Sequence, residues 1–331
     1  MRLLFILMSY IPCCHIVLGS VAMTQVTKAT IRKDIKQLTQ TAVVAFPKNI
    51  VFKNDTKKKL ADTLKTGDKV TIKLGYNSRL NTEFEGYIAR IEQTIPIRIH
   101  CEDQMFTLKR ATVEPQVWES ATLGEIIDYV APNVQAEIVD RTINLGAFSV
   151  DRVSPATVFK YLQDNYNLSI FFKNNVLVVG FPYAFEPQAQ IWVYDFQKNV
   201  PKDGNDLEYQ TVDTYKIVVK AVSNLKTGKK LIVWLPYKGA EGDIRTLNFP
   251  EMSEAELKKQ AQAELDRFTY DGYRGRVNGF GFPVVQFTEV VRLRDNQFKD
   301  REANYFVDAT EIEFDESTFR RSCTIGKRAS R

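Results

Sequence analysis

Apolar and polar residues alternate along most of this chain, and the period lengthens to that of a helix in only three stretches. Runs over 16–23, 43–46, 70–74, 84–91, 95–99 and 105–108 are β-prone, with Gly67-Asp68 and Tyr76-Asn77-Ser78 as the clearest turns between them. In Lys69-Val70-Thr71-Ile72-Lys73-Leu74 every second residue is apolar, so one face is expected to be buried and the other wet. Several short strands at this spacing suggest a barrel or a sandwich.

From about Val113 the pattern changes. Thr122 followed by Glu125 forms a capping box, and Leu123, Ile126, Ile127 and Val130 share one helical face before Ala131-Pro132 ends it. Ser154-Pro155 starts a second helix, with Val158, Phe159 and Leu162 as its stripe. A hairpin is expected from 168–172 and 176–181 around Lys173-Asn174-Asn175. Strands are expected again over 191–196, 215–222 and 230–235, with Lys226-Thr227-Gly228 as a turn. Ser253 and Glu256 form another capping box, with Met252 and Leu257 as its staple and Leu257, Ala261, Leu265 and Phe268 on the buried side. Gly272, Gly275, Gly279 and Gly281, with Pro283 close behind, predict a tight, shape-determined connection. It leads into a long antiparallel hairpin, built on Val284, Val285, Phe287, Val290, Val291 and Leu293 and then on Tyr305, Val307, Ala309, Ile312 and Phe314.

Composition narrows the chemistry. At 331 residues, 44% hydrophobic and 26% charged, the chain has length for two or three domains with real cores. The net charge of +5 is uneven: residues 28–73 hold twelve Lys/Arg against four Asp, net +8, and the remainder carries −3. A basic face of this kind suits nucleic acid or an acidic protein surface, but a solvated lysine face such as Lys57-Lys58-Lys59 is the simpler reading. Cys13 and Cys14 are adjacent while Cys101 and Cys323 stand apart, so no disulfide framework is legible. His100 beside Cys101 falls short of the roughly four ligands that zinc takes, so no metal or cofactor is expected. His15 and His100 are the chain's two histidines, which leaves a Ser-His-Asp or Cys-His arrangement almost without candidates. Glu311, Glu313, Asp315 and Glu316 offer carboxylates for a glycosidase pair, but the alternating Glu311 and Glu313 are read as the wet face of an antiparallel strand. Gly228-Lys229 lacks the remaining residues of a phosphate loop, and the glycines of 272–281 lack dinucleotide-binding spacing. Phe171-Phe172 is read as core and not as a base-stacking platform. No enzyme activity is expected.

Two stretches then resemble a known family. Tyr273, Gly275, Gly279, Gly281, Pro283, Tyr305, Val307, Phe314 and Ile325-Gly326-Lys327 are similar to the C-terminal barrel of bacteriophage tail baseplate hub proteins, the late control protein D family, which is shared with the hub half of type VI secretion spikes. Gly67, Asp68, Val70, Ile72 and Leu74, followed by Phe84, Gly86, Tyr87 and Ile88, resemble a first-barrel segment of the same family. Leu38, Thr39, Thr41, Ala42 and Pro47 match its early segment, and Leu177, Val179 and Gly180 match the end of its insertion. The chain departs at Thr288-Glu289, where the family usually has Gly-Asp.

The resemblance implies a mainly β protein with an α/β insertion: two tail-tube-like β-barrel domains flanking a small α/β domain, plus one helix packed on the second barrel. The implied boundaries are 16–112 for the first barrel, 113–187 for the insertion and 188–331 for the second barrel with its helix at 253–269. Residues 1–15 remain an extension, a signal-like segment or a mis-set start. Arg2 ahead of Leu3–Met8 resembles a secretory signal, but a good small-residue cleavage site is missing, which favours a start at Met8. The implied function is structural: a homotrimeric ring in the virion, made in the bacterial cytoplasm, that joins the tail tube to the central spike. DNA would pass through its lumen, with no stable membrane insertion. A lumen should avoid strong positive charge, so Lys57–Lys59 is expected to point away from it. A type VI secretion hub, a secreted periplasmic β-protein and a cell-wall hydrolase are the alternatives.

Overall fold

The computed structural model describes residues 10–47, 60–184, 190–201, 205–214, 216–225 and 229–329. Its N-terminal part runs through strands β1 (Pro12–Leu18), β2 (Val21–Met23), β3 (Lys28–Asp34) and β4 (Thr41–Phe46), a turn of helix α1 (Leu60–Thr63), then β5 (Lys69–Tyr76), β6 (Arg79–Glu92) and β7 (Ile97–Glu102). The single strand expected over 16–23 is instead a hairpin. Gly19, at φ +56, turns β1 back into β2, and β1 begins at Pro12, so residues 12–15 pair with β5.

The middle part comprises helix α2 (Met105–Leu108), which lies ahead of the implied insertion, and then β8 (Gln116–Thr122), α3 (Leu123–Val130), β9 (Ala136–Ile138), β10 (Asn144–Val150), α4 (Pro155–Tyr166), β11 (Ser169–Lys173) and β12 (Val176–Gly180) within it. The β-run expected over 105–108 is thus a helix. A run of four residues, Met105-Phe106-Thr107-Leu108, is too short to have a readable period. Here Asp103 Oδ1 accepts from the Met105 N–H at 3.0 Å, and helical spacing lets Met105 and Leu108 enter one core while Phe106 stacks on Tyr87. The expected caps form: Thr122 and Glu125 bond reciprocally, and the Ser154 hydroxyl accepts from the Thr157 N–H at 3.2 Å. Asn174 and Asn175, at φ 50 and 64, make the hairpin turn between β11 and β12. Phe171 and Phe172 are buried, as read.

The last part holds β13 (Ile191–Asp195), β14 (Asp206–Gln210), β15 (Ile217–Asn224), β16 (Lys230–Leu235), β17 (Asp243–Phe249), α5 (Glu254–Phe268), β18 (Gly272–Phe280), β19 (Val290–Arg294), β20 (Ala303–Phe314) and β21 (Phe319–Arg328). Two features differ from expectation. The glycine-rich segment is itself strand β18, paired on both sides with β14 and β21. Strands β16-β15-β17 form a sheet of their own, and α5 packs on that sheet, where Leu257 and Ala261 meet Ile217, Val219, Ala221, Leu235 and Phe249. The pairing of β13 with β19 is parallel.

One thirteen-stranded sheet joins the two ends of the chain. Its path is β14-β18-β21-β20-β3-β4-β7-β6-β5-β1-β2, and β19 and then β13 branch from the first half of β20. Ile312 and Phe314 of β20 share a core with Ile16 and Leu18 of β1, at the other end of the N-terminal run of strands. The strands between must therefore curl around that core. No ladder closes the curl among the described residues; Tyr76 of β5 bridges it, donating from Oη to the Phe319 carbonyl at 3.0 Å and accepting from the Gly281 N–H at 3.3 Å. A second core gathers Tyr194, Tyr273, Val277, Leu293, Tyr305, Val307, Cys323 and Ile325. The insertion has a core of its own, and a small apolar contact of Ile35, Phe171, Val178 and Phe287 seats it on the rest.

Candidate functional site

Strand β21 shows how the two sheet cores are joined. Its inward residues are Phe319, Arg321, Cys323 and Ile325; the first lies in the N-terminal core and the last two in the C-terminal core. Arg321 sits between them with no exposed surface. Its Nη2 donates to Glu83 Oε1 at 2.6 Å, and its Nη1 donates to the Val285 carbonyl at 2.9 Å. Glu83 arrives there by a bulge: Ile72 faces Phe84 and Lys73 faces Thr82, so Glu83 is the extra residue of β6 and turns inward. Lys33 reaches Gln286 Oε1 at 3.0 Å, and Gln286 Nε2 donates to Glu83 Oε2 at 3.3 Å. Glu289 accepts from Trp192 Nε1 at 2.7 Å and from the Gln286 N–H at 2.9 Å. Lys173, at the tip of the insertion hairpin, donates to Thr288 Oγ1 at 2.6 Å. Thr288 has φ +71, a backbone conformation natural to glycine, and so fills the position where the family resemblance places Gly.

A partly open pocket of about 100 Å³ lies at this seam, with Lys33, Gln40, Glu83, Asp103, Lys173 and Glu289 among its lining residues. Burial pulls the Lys33 ammonium down to about 8, against the attraction of Glu83. Burial pushes Asp103 up to about 7, although its carboxylate accepts backbone N–H bonds from Gln40 and Met105. The folded chain therefore holds a proton at Asp103 that the unfolded chain releases near its ordinary value of 3.8. Asp103 accordingly contributes its full stability below 3.8, and that contribution falls away as pH rises through 7. Urea unfolding of the wild type and of Asp103→Asn across this window should show the wild type losing stability relative to the variant as pH rises. A pH-independent difference would refute the assignment.

The second feature is a cleft of about 940 Å³ at the end of the N-terminal core, where Tyr10, Tyr76, Phe280, Phe282, Arg79 and Arg320 converge. Tyr76 meets Tyr10 edge-on at 5.6 Å and stacks on Phe282 at 6.1 Å, while Arg320 lies 4.5 Å above the Phe280 ring. Tyr10 is 66% exposed, and Phe280 and Phe282 are each 44% exposed. None of the cleft's lining residues is a carboxylate. Arg320 Nη1 is buried without an acceptor among the described residues.

The residues considered for catalysis or metal binding are not brought together. His100 bonds Glu92 at 2.9 Å and Arg90 at 3.0 Å, on the strand pair β6–β7. Cys14, Cys101 and Cys323 are buried free thiols, pushed up to about 11, 12 and 11 chiefly by burial. Glu311 accepts from Arg32 and Arg276, Glu313 pairs with Lys28, and Asp315 caps its own turn. Among the described residues no group of three or more His, Cys, Asp or Glu is placed to hold a metal. No described helix is long and apolar enough to cross a membrane. Met8, Lys57–Lys59 and Gly228 lie outside the described residues.

No family model and no curated protein matches the sequence. Solved structures do match, almost from end to end. A tail protein from Neisseria meningitidis superposes with a TM-score of 0.64 at 13% identity, over 96% of this chain and 97% of its own. The 43 kDa tail protein of prophage MuSo2 from Shewanella oneidensis gives 0.62 at 14% identity, over 95% and 97%. The c3393 protein of E. coli, a component of the type VI secretion system with structural similarity to T4 bacteriophage tail proteins, gives 0.55 at 8% identity, over 95% and 79%. The fold is that of phage tail proteins and of related type VI secretion components.

Proposed function

We propose that this chain is a structural hub of a phage tail baseplate: three copies form a ring that joins the tail tube to the central spike and encloses the path of the DNA. The carrying observation is the match of fold over nearly the whole of this chain and of two tail proteins. The family-like segments found in the sequence add support, since they fall in β5–β6 and in β18–β21. The architecture suits such a role. In this reading the two groups of strands joined by the β20–β21 hairpin act as two equivalent surfaces per copy, so three copies would offer six to a hexameric tube. In this reading the protein acts by binding its neighbours.

Light scattering on a sizing column should give a mass of three chains. A chain that stays monomeric at every concentration would sink the ring reading. The same fold in a type VI component favours a secretion-system hub as the second reading. Whether the purified ring captures a tail tube protein or a secretion tube protein separates the two.

A further inference from the structure

We infer that the aromatic–arginine cleft of one copy receives the acidic outer edge of β14 from the next copy, in a head-to-tail contact. The inference rests on the ring reading above and names the surfaces that would close it. Arg79 and Arg320 supply positive charge with no carboxylate in the lining. Guanidinium groups at a cleft wall favour charge-assisted hydrogen bonds, so the cleft calls for an acid. Exposed Phe280 and Phe282 call for apolar contact beside it, the mix of aromatic and arginine side chains common at protein interfaces.

Strand β14 has the complementary chemistry. Asp206 and Glu208 face solvent, while Leu207 and Tyr209 turn into the C-terminal core. On its far side β14 pairs with no strand among the described residues, so a line of backbone donors and acceptors stays open. Val212, 43% exposed, and Asp213 follow directly. An open edge of this kind is a hazard in a monomer and is normally covered. Cleft and edge are different surfaces, so each copy uses both, and such a contact closes into a ring when the rotation allows it. Single-stranded nucleic acid is the other ligand class for arginines beside aromatic rings. It fits less well here, because Tyr76 and Phe282 stack on each other and Arg320 already lies over Phe280.

Charge exchange tests the contact on the full chain. Arg79 and Glu208 are exposed, so their replacement should leave the circular-dichroism spectrum of the dilute, unassembled chain unchanged. Arg79→Glu alone and Glu208→Arg alone should each raise the concentration for half-assembly by about tenfold or more. The double variant, which restores opposite charges across the contact, should recover most of the wild-type assembly. If the trimer forms and neither single variant weakens it, this inference falls while the ring reading stands. A wild type that never self-associates overturns both. If Arg79→Glu abolishes binding of a labelled oligothymidylate without changing the assembled mass, the cleft belongs to nucleic acid and the inference is overturned.

Discussion

Glu83→Gln and Arg321→Met, each made alone, should lower the stability of the fold by about 3–5 kcal/mol, read as a fall in the urea midpoint at unchanged slope. Both side chains are wholly buried, so whichever charge remains has neither its partner nor water. Only part of the cost of burying Arg321 is met in the native state: Nη1 and Nη2 find acceptors, and Nε has none among the described residues. The pair should therefore be replaceable as a unit. Glu83→Leu with Arg321→Met should recover part of the loss, since both desolvated charges of the pair are removed together, while Lys33 loses the attraction of Glu83. Single variants within about 1 kcal/mol of the wild type would mean that the seam is wet, and would remove the pair from the account of stability.

The second large effect is expected at Gly275. Its φ of +107 is one that side-chain-bearing residues rarely adopt, and a Cβ there would overlap the Asp206 carbonyl oxygen on β14. Gly275→Ala should cost about 2–4 kcal/mol, from backbone strain plus displacement of the neighbouring strand. Gly239 is the control: its φ is +87, but a Cβ there meets nothing within 4 Å, so Gly239→Ala carries the strain alone. Hydrogen exchange should place the difference. In Gly275→Ala the amides of β14 and β18 should lose protection while those of β4 and β7 keep theirs. Equal effects of the two substitutions would show that the close approach to Asp206 contributes nothing.

The features legible in the sequence were those encoded within a few residues. The capping boxes at Thr122 and Ser253 and the Lys173-Asn174-Asn175 turn each need only local hydrogen bonding or a local backbone conformation. Long-range choices were hidden. Nothing in β3 names β20 as its partner, and the strands β15–β17 have the same apolar alternation whether they join the large sheet or form their own. The seam was half visible. Arg321 shares inward parity with Phe319, Cys323 and Ile325, which marks a charge at a core position. Its partner was not visible, because strict alternation with Phe84, Gly86 and Ile88 turns Glu83 to solvent; the bulge that reverses this depends on pairing with β5. The cleft was hidden for the same reason: Tyr10, Arg79, Phe282 and Arg320 meet only through tertiary packing.

The pairing of β3 with β20 also sets a timetable. Lys28 and Glu313, which bond at 2.8 Å, lie 285 residues apart, and Ile312, Phe314 and Phe319 complete a core that begins at Cys14. On a ribosome, the first strands to emerge must wait for almost the last before their core can close. During that interval β1, β3 and β4 expose apolar faces and open edges, whereas the insertion, whose core lies within residues 105–179, has all it needs to fold early. Contacts of such long sequence separation form slowly. The nascent chain is therefore a natural client for chaperones that shield exposed strands until β20 and β21 arrive.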